Sequence, residues 1–572
     1  MRIKTLGIII FVSFLFIIIG LFYIQIVRGT LYQKLSTQNR IRLLSIESPR
    51  GRIFDTNGEL LVDNRISFDV AIIPQELKHK DEILKDLSGI LDVSQEDLRK
   101  SLKRNFVTPF QPVKILSDIG KKKAIILEEE RLDLPGVFIE TSPRRHYIYK
   151  DAGSHIFGYL GQINRGELTR LKDYGYRMND LIGKSGIEKH YNNYLKGTRG
   201  GMQIEVNNMG YQVGFLGIRE PVKGKDLYLT IDIRLQSFIE EIFKGARGAV
   251  CVMDPRNGRI LSLVSTPSFD PNLFIEDAGS GKISSLFVRK DYPMLNRAAH
   301  CTYPPGSVFK VVTAAAALER GGVTARTTLT CNGSYALGNK VFRCWKKKGH
   351  GEQSMRDAIK NSCNVYFYQA GSMAGVENLA NYSSRFGFGR PTGIDLSNEA
   401  SGLVPNKMWK ALKKRESWYK GETLNYSIGQ GYLLVTPLQI VRAISAIANG
   451  GYLVKPYLVK RIEDVDISQI EKRPVNISKE TIEIIKEGLV KVVNDSNGTG
   501  RNAVVSGLKV AGKTGTAQTS TDKTHAWFTG FAPADDPKAA VVIFLEYGGK
   551  GGLAASKTAG DIFGKLKELN YF

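Results

Sequence analysis

The sequence predicts an α+β protein in which an N-terminal transmembrane helix precedes an extended mixed α/β module and a C-terminal domain with an antiparallel sheet and a helical insert. Three observations support this prediction. An uncharged apolar run opens the chain, short β-like runs then alternate with charged helical stretches, and β-like runs recur on both sides of a long helical region. We therefore predict a tail at 1–5, an anchor at 6–27, the α/β module at 28–230 and the C-terminal domain at 231–572.

The anchor at 6–27 reads LGIIIFVSFLFIIIGLFYIQIV and carries no charge. About 20 apolar residues suffice to span the hydrocarbon core of a bilayer, so this run predicts a transmembrane helix. A cleaved signal peptide is disfavoured, because its apolar run is usually about 7–15 residues long and no small-x-small cleavage site follows here. Arg2 and Lys4 favour a cytoplasmic tail. The prediction is a single-pass protein of the cytoplasmic (inner) membrane, with the rest of the chain on the periplasmic or extracytoplasmic side.

Charge and cysteine content exclude several classes of protein. The formal net charge is +24, but the 80 Lys and Arg residues are scattered along the chain rather than gathered in one arm. This distribution favours a basic surface that meets acidic polymers or anionic lipid, and no nucleic-acid motif stands out. The five cysteines are few and odd in number, so the chain is no disulfide scaffold.

The predicted elements follow from short apolar runs and turn residues. In the α/β module, FDVAII at 68–73 predicts a strand and 81–103 predicts helix. In the C-terminal domain, strand–turn–strand patterns at 249–264 and 526–547 lie on both sides of the helical insert. We expect the first and last strands of this domain to lie together in one antiparallel sheet.

The first two of three short strings supply groups needed for acyl transfer. In SVFK, Ser307 follows Pro-Pro-Gly and begins a predicted Ala-rich helix at 307–320, where backbone N–H groups and the helix dipole favour developing negative charge. Lys310 falls on the same face, and a buried lysine can lose its proton near neutral pH and accept that of the serine. In SCN, Ser362 supplies a hydroxyl for proton relay and Asn364 an amide for the substrate backbone.

The third string, KTGT, offers the cation Lys513 and the hydroxyls of Thr514 and Thr516 to a substrate carboxylate. Gly515 lets a strand edge approach the acyl group closely. Serine and lysine at this spacing mean little alone, since SWYK at 417–420 has the same spacing without the preceding Pro-Gly. The order of the three strings is typical of the serine penicillin-recognising enzymes.

Nucleotide binding is a competing interpretation of the third string. GLKVAGKT at 507–514 matches the phosphate-loop pattern G-x-x-x-x-G-K-T. That motif must open a helix, because the helix N-terminus cradles the phosphates. The continuation GTAQTST at 515–521 is a poor helix former and favours a strand and loop, which argues against a nucleotide site.

On these motifs the chain resembles the class B penicillin-binding proteins. Residues 231–565 resemble their penicillin-binding, β-lactamase-like transpeptidase domain, and 45–225 resemble their pedestal (dimerisation-type) domain. RGRIFD at 50–55 and GKSGIE at 183–188 look like pedestal motifs. No glycosyltransferase domain precedes the pedestal, which separates the chain from the bifunctional class A enzymes.

The resemblance is strongest to the elongation-type branch, penicillin-binding protein 2. YPPGS at 303–307 and YFYQ at 366–369 resemble this branch, although Asn364 stands where elongation-type relatives often carry Asp. The resemblance implies a serine-type D,D-transpeptidase that cross-links peptidoglycan stem peptides during cell elongation. Ser307 would attack the carbonyl between two terminal D-alanines, and the N–H groups of Ser307 and Thr516 would form the oxyanion hole.

The same resemblance implies partners and leaves alternatives open. The implied partners are stem peptides, β-lactams that acylate the same serine, a SEDS-type glycosyltransferase and elongation-complex proteins, with no nucleic acid and no organic cofactor. The alternatives are a division-type transpeptidase, a hydrolytic D,D-carboxypeptidase or β-lactamase, and a non-catalytic scaffold that activates a membrane glycosyltransferase. Intact Ser307, Lys310 and Lys513 argue against the scaffold.

A metal site is implied beside the second string. FRCWKKKGHG at 342–351 resembles a loop that binds zinc next to the active site in elongation-type enzymes of some Gram-negative bacteria. The resemblance implies a structural zinc site with three sulfur ligands and one nitrogen ligand. The spacing alone leaves unrelated cysteines or a Cys331–Cys344 disulfide open. The implied ligands are Cys331, Cys344, His350 and Cys363.

Overall fold

The computed structural model describes residues 2–77, 79–106, 108–109, 112–178, 180–207, 212–276, 281–519 and 522–572. Met1 of the predicted tail and residues 520–521 of the string after KTGT lie outside these ranges. The helices are α1 Arg2–Phe22, α2 Gly29–Arg40, α3 Lys80–Leu91, α4 Gln95–Asn105, α5 Gly120–Glu129, α6 Ser154–Phe157, α7 Arg165–Leu171, α8 Gly186–His190, α9 Asn192–Leu195, α10 Ile233–Ile242, α11 Leu273–Glu276, α12 Gly281–Val288, α13 Lys310–Arg320, α14 Met355–Lys360, α15 Asn364–Arg385, α16 Lys407–Lys414, α17 Lys420–Ser427, α18 Pro437–Ala448, α19 Lys479–Asn494 and α20 Ala554–Glu568.

The strands complete the inventory of regular elements in the described residues. They are β1 Ile41–Ile46, β2 Ile53–Phe54, β3 Leu60–Ile72, β4 Val113–Leu116, β5 Val137–Tyr147, β6 Leu160–Gln162, β7 Leu181–Gly183, β8 Gly200–Val206, β9 Gln212–Arg219, β10 Leu227–Leu229, β11 Gly248–Met253, β12 Ile260–Thr266, β13 Leu329–Cys331, β14 Ser334–Leu337, β15 Lys340–Arg343, β16 Gly351–Gln353, β17 Tyr452–Val454, β18 Val459–Ile462, β19 Val465–Asp466, β20 Lys472–Pro474, β21 Ala511–Gln518, β22 Thr524–Ala532 and β23 Ala539–Leu545.

The N-terminal apolar run forms one helix long enough to span a membrane. Helix α1 continues as a π-helical turn at Tyr23–Val27, and the stretch Ile3–Val27 meets the length and composition of a membrane span. Its side chains are exposed rather than packed against other described residues. Exposed apolar side chains on every face are what a lipid-facing helix requires.

Contacts divide the chain into two compact units. Unit 1 comprises Met1–Gly51, Asn64–Arg144 and Lys196–Lys225, and unit 2 comprises Arg52–Asp63, Arg145–Leu195 and Asp226–Phe572. This division differs from a single boundary at 230/231, because two segments of the predicted α/β module pack with the C-terminal domain. The domain limits predicted from the sequence, 28–230 and 231–572, stay a prediction.

Unit 1 is built from small sheets and short helices. Strands β1, β8 and β9 form an antiparallel sheet, while β3 pairs with β4 and β5. Helices α3 and α4 cover the second sheet and bury its apolar side chains. The helix predicted at 81–103 is divided because Asp92 adopts φ +56° at the end of α3 and the Ser94 side chain caps α4.

Unit 2 has a five-stranded antiparallel sheet in the order β12-β11-β23-β22-β21. The predicted pairing of the first and last strands is confirmed, since Val250 on β11 lies opposite Ile543 on β23. Helices α10, α18 and α20 pack on this sheet, and α13, α14, α15, α17 and α19 form the helical insert. Strand β21 is an edge strand, and it lies against α19 and the turn that precedes α13.

Candidate active site

The predicted nucleophile Ser307 lies in a 3-10 turn, Gly306–Phe309, and not in the first turn of an α-helix as the sequence predicted. Gly306 sets this turn with φ +56°, and its N–H donates to the carbonyl oxygen of Gly429 at 2.9 Å. A Cβ at Gly306 would lie 2.7 Å from the carbonyl oxygen of Thr516. Glycine therefore allows the turn to pack directly on β21, and Ser307 remains half-buried and accessible.

Lys310 begins α13 and is completely buried. Its Nζ donates to the carbonyl oxygen of Ser362 at 2.8 Å, to Ser362 Oγ at 3.3 Å and to Asn364 Oδ1 at 2.7 Å. Burial lowers the pKa of Lys310 to about 8. The first two strings are thus joined through the lysine, and its amine gives up a proton far more easily than an exposed one.

The proton transfer predicted from Ser307 to Lys310 has no preformed hydrogen bond: among the described residues, none joins Ser307 Oγ to Lys310 Nζ. An ammonium group has three donors, and Ser362 and Asn364 already occupy all three. Deprotonation removes one donor and creates a lone pair that can accept a proton. Catalytic hydrogen bonds are often long before substrate binds, so this geometry is compatible with a general base.

The second string is held by an unusual backbone conformation. Ser362 lies between α14 and α15 with φ +50° and is buried. Residues other than glycine seldom adopt this conformation, which is often found at functional sites. Residues at and just after the end of β15 fix the string from outside, because Trp345 Nε1 donates to the Asn361 carbonyl oxygen at 3.0 Å and Asn364 Nδ2 donates to the Arg343 carbonyl oxygen at 3.4 Å.

The third string lies on edge strand β21. Lys513 is completely buried, and its Nζ donates to the carbonyl oxygen of Thr514 at 3.0 Å. Burial, together with the positive charge of Lys310, holds the pKa of Lys513 well below its usual range. Two lysines that repel each other in a buried cleft favour the arrival of an anion, as a substrate carboxylate would supply.

Close packing shows that the third string adjoins the first. A Cβ at Gly515 would lie 3.0 Å from Val308 Cγ1 and 3.0 Å from Trp527 Cβ, so a larger residue would separate β21 from the turn. Thr516 Oγ1 accepts a hydrogen bond from the Gly551 N–H at 3.3 Å. The three strings therefore converge in one cleft, as the sequence predicted, while the catalytic and binding roles of their residues stay predictions.

Sequence reasoning missed Thr499. Its Oγ1 donates to the Lys360 carbonyl oxygen at 3.0 Å and accepts from Thr514 Oγ1 at 3.2 Å. It thereby connects the end of α14, just before the second string, to the third string. Its partners are 139 and 15 residues away, and no local pattern in the sequence signals contacts of that range.

The structure also bears on two competing patterns. The phosphate-loop match at 507–514 runs directly into β21, so its lysine and threonine lie on a strand rather than at the start of a helix. A phosphate cradle requires the helix N-terminus, which this segment lacks in the described residues. In SWYK, Ser417 and Lys420 lie in an exposed segment outside the cleft.

The four predicted metal ligands come together beside the second string. The ligand atoms of Cys331, Cys344, His350 and Cys363 all lie within 4.8 Å of one another. His350 Nδ1 is 3.6 Å from the Sγ atoms of both Cys331 and Cys344. A tetrahedral zinc ion with Zn–S of about 2.3 Å and Zn–N of about 2.1 Å separates sulfur from nitrogen by about 3.6 Å, so the donor set fits zinc.

Two members of the cluster, Cys344 and His350, have shifted pKa values that favour their metal-binding forms. All five cysteines are free in the described residues, so the Cys331–Cys344 disulfide is not formed. The hydrogen bond between Cys363 and Cys344 lowers the pKa of Cys344, which favours a thiolate there, and raises the pKa of Cys363. Burial lowers the pKa of His350 and favours the neutral imidazole. A thiolate and a neutral imidazole are the forms that bind metal.

Two family models match this chain. The penicillin-binding protein dimerisation domain matches residues 45–229, and the penicillin-binding protein transpeptidase domain matches residues 248–567. The second match contains all three strings and the cluster of Cys331, Cys344, His350 and Cys363. Together with the fold and the arrangement of the three strings, these two matches define the class of protein: the penicillin-binding proteins that carry a transpeptidase domain.

Relatives narrow the class. The chain is 36% identical to peptidoglycan D,D-transpeptidase MrdA of Haemophilus influenzae, over 97% of this chain and 89% of that protein. Penicillin-binding protein 2 of Helicobacter pylori, solved in complex with MreC, superposes with a TM-score of 0.84 at 31% identity, covering 93% of this chain and 99% of that one. A chain from a peptidoglycan synthase complex that coordinates polymerisation and crosslinking gives a TM-score of 0.75 at 29% identity, covering 98% and 97%. The chain belongs to the elongation-type class B penicillin-binding proteins, the penicillin-binding protein 2 family.

Proposed function

We propose that this chain is a D,D-transpeptidase that cross-links peptidoglycan during cell elongation through an acyl-enzyme on Ser307. The observation that carries the proposal is the position of Lys310, whose Nζ is bonded to both Ser362 and Asn364 beside the turn that holds Ser307. A buried amine with a pKa of about 8 is a suitable general base near neutral pH.

The reaction begins when Ser307 Oγ attacks the carbonyl carbon between the two terminal D-alanines of a donor stem peptide. The hydroxyl proton passes to Lys310 Nζ, and a proton then reaches the leaving amine through Ser362 Oγ as the peptide bond breaks and D-alanine departs. The amine of a neighbouring stem then attacks the ester and forms the cross-linking amide, and the proton that this amine loses passes to Ser307 Oγ as the ester bond breaks. The backbone N–H groups of Ser307 and Thr516 stabilise the oxyanion in both steps, and each donor lowers the barrier by about 3–4 kcal/mol.

Substrate binding is assigned to the other members of the three strings. Asn364 holds the backbone of the stem peptide, and Lys513, Thr514 and Thr516 hold its terminal carboxylate. β-Lactams carry a carboxylate and a reactive carbonyl in the same relation, so they acylate Ser307 in place of the stem peptide. Gly515 keeps β21 close enough to the turn for these contacts to be made together.

The site of action is the outer face of the cytoplasmic (inner) membrane. We assign Ile3–Val27 as a single anchor with the N-terminus inside the cell and the catalytic domain on the periplasmic side. The proposed protein partners are a SEDS-type glycosyltransferase and elongation-complex proteins. This proposal draws support from the H. pylori relative in complex with MreC and from the synthase complex that couples polymerisation to crosslinking.

Labelling of the full-length protein with a fluorescent penicillin tests the proposal. We expect a stable label that is absent in Ser307→Ala and retained in Ser417→Ala, which alters the serine of the unrelated SWYK string. Rapid release of the label would indicate a D,D-carboxypeptidase or β-lactamase instead. Absence of label from the wild-type protein would favour the non-catalytic scaffold.

We also propose that Cys331, Cys344, His350 and Cys363 hold a structural zinc ion. Three sulfurs and one nitrogen leave no open position for substrate, so the ion would brace the fold rather than take part in the reaction. It would hold the segment that carries Arg343 and Trp345 against the second string. Elemental analysis of the purified protein tests this: about one zinc per chain is expected, and a metal-free wild-type protein would contradict the proposal.

A further inference from the structure

An exposed basic surface lies at 407–420, formed by α16 and the loop that leads to α17. Met408 and Leu412 are 71% and 72% exposed, and they lie one helical turn apart on the same face. Together they form a small apolar patch rimmed by charged residues, and apolar patches rimmed by polar residues can mark interaction sites. Between 407 and 420 the exposed charged residues are one acidic residue, Glu416, and five basic residues: Lys407, Lys413, Lys414, Arg415 and Lys420.

A buried lysine holds this surface in one conformation. Lys410 Nζ donates to Glu422 at 2.6 Å and to the Ser417 carbonyl oxygen at 2.9 Å, and it lies 4.4 Å from the centre of the Tyr419 ring. The Asn406 side chain caps α16 through the N–H of Trp409 at 2.7 Å. The exposed groups are therefore carried on a fixed backbone, which reduces the entropy lost when a ligand binds.

The surface adjoins the catalytic cleft. Leu403, just before α16, pairs with Leu434, and the next residue, Val435, pairs with Tyr303 on the approach to Ser307. The ring of Trp409 on α16 packs against Tyr432 in the same segment, with centroids 5.1 Å apart.

A second contact links the surface to the cleft on the other side. A Cβ at Gly421, the second residue of α17, would lie 3.2 Å from Phe342 Cζ. Phe342 precedes Arg343, whose carbonyl oxygen accepts the hydrogen bond from Asn364. The segments that flank the 407–420 surface therefore contact the segments that lead to the nucleophile and to the second string.

We propose that the 407–420 surface binds the uncrosslinked peptidoglycan strand whose stem peptides react at Ser307. In the proposed reaction the three strings bind the end of one stem peptide, whereas the substrate is a polymer with a carboxylate-bearing peptide on each repeat. Cations on α16 complement those carboxylates, and the apolar faces of the sugar rings pack on Met408 and Leu412. This inference rests on the proposed function and deepens it, because it assigns a second contact for the same substrate.

The test uses the full-length protein in detergent and two double variants. One removes charge (Lys413→Gln with Lys414→Gln) and the other removes apolar area (Met408→Ser with Leu412→Ser). The matched control, Lys121→Gln with Lys122→Gln, removes the same charge from exposed positions on α5. We measure the rate of β-lactam acylation, binding of uncrosslinked polymer with and without its stem peptides, binding to phosphatidylglycerol vesicles, and cross-linking at increasing polymer concentration.

We expect both double variants to keep the wild-type rate of acylation while their KM for polymer rises at least about fivefold, and the control to match the wild type. The wild-type protein should bind the peptide-bearing polymer more tightly than the stripped polymer, and added salt should weaken that preference. Unchanged polymer binding in both variants would overturn the inference. Loss of vesicle binding with unchanged polymer binding would also overturn it, because that result would show that the 407–420 surface binds a membrane. Failure of the wild-type protein to become acylated would instead contradict the proposed function, because polymer binding is measured independently of acylation.

Discussion

Nζ of Lys310 lies 2.7 Å from Oδ1 of Asn364, and this contact joins the first and second strings across 54 residues of sequence. Asn364 is neutral, so it accepts a hydrogen bond from the amine without adding a charge beside it. The pKa of Lys310 is therefore governed by burial, which lowers it to about 8. The choice of amide over carboxylate at this position has a measurable consequence.

Asn364→Asp should raise the pKa of Lys310, because a carboxylate at the same position stabilises the protonated amine. The neutral amine is the base, so acylation should increase as pH rises through about 8 in the wild type and through a higher pH in the variant. The measurement is the second-order rate of penicillin acylation from neutral to alkaline pH. Asn378→Asp places the same charge farther along α15 and should keep the wild-type profile. If the pH midpoint of acylation in Asn364→Asp were equal to or lower than that of the wild type, the role of Lys310 as the base would be contradicted.

Lys513→Met should weaken reaction with substrates that carry a carboxylate. A hydrogen bond to a charged group contributes about 1.5–3 kcal/mol, which corresponds to about a 10- to 150-fold loss in acylation rate. The same variant should react normally with a penicillin methyl ester, in which the carboxylate is masked. Lys509→Met is the control, since Lys509 is exposed and pairs with Asp535 before β21 begins. Equal losses for acid and ester would show that Lys513 does not bind the carboxylate.

Gly306→Ala should slow acylation by misplacing Ser307. The new Cβ would lie 2.7 Å from the Thr516 carbonyl oxygen, in addition to the strain of φ +56°. Gly322→Ala is a matched control because Gly322 has φ +68° and a Cβ there meets nothing within 4 Å. The control should lose only about 1–2 kcal/mol of stability from backbone strain and keep its acylation rate. Equal acylation in the two variants would show that packing against β21 does not position the nucleophile.

Removal of the proposed zinc ion should destabilise the protein and slow acylation. A ligand bound only by the folded state adds about 4 kcal/mol when present at about 1,000 times its Kd, so a chelator should lower the melting temperature. Cys344→Ser should reproduce the effect of the chelator, whereas Cys301→Ser, outside the cluster, should remain sensitive to it. If a chelator changed neither the melting temperature nor the acylation rate of the wild type, the proposed structural metal ion would be contradicted.

The sequence predicted those features of the fold and the site that depend on the chemistry of neighbouring residues or on the periodicity of a short segment. The strand pattern around residue 250 and the one around residue 543 predicted the pairing of β11 with β23, because alternation and turn residues mark strands directly. The three strings predicted one cleft, because their residue types are useful only together. The metal ligands came from a resemblance, since their spacing alone did not choose between a metal, a disulfide and unrelated cysteines.

Features imposed by distant contacts were not predictable in the same way. The 3-10 turn at Ser307 arises because Gly306 packs on β21, and the positive φ of Ser362 is held by the elements around it. The bridge made by Thr499 depends on partners in two separate elements. Residues 52–63 and 145–195 belong to unit 2 for the same reason. Their packing depends on contacts between distant residues, which no local sequence pattern indicates.

Identifying the residue that carries the acyl group tests the proposed mechanism most directly. The full-length protein is incubated with a penicillin, digested, and the modified peptide is sequenced by mass spectrometry. We expect one adduct, on Ser307, that disappears in Ser307→Ala. An adduct on any other residue, or none at all, would contradict the proposed mechanism.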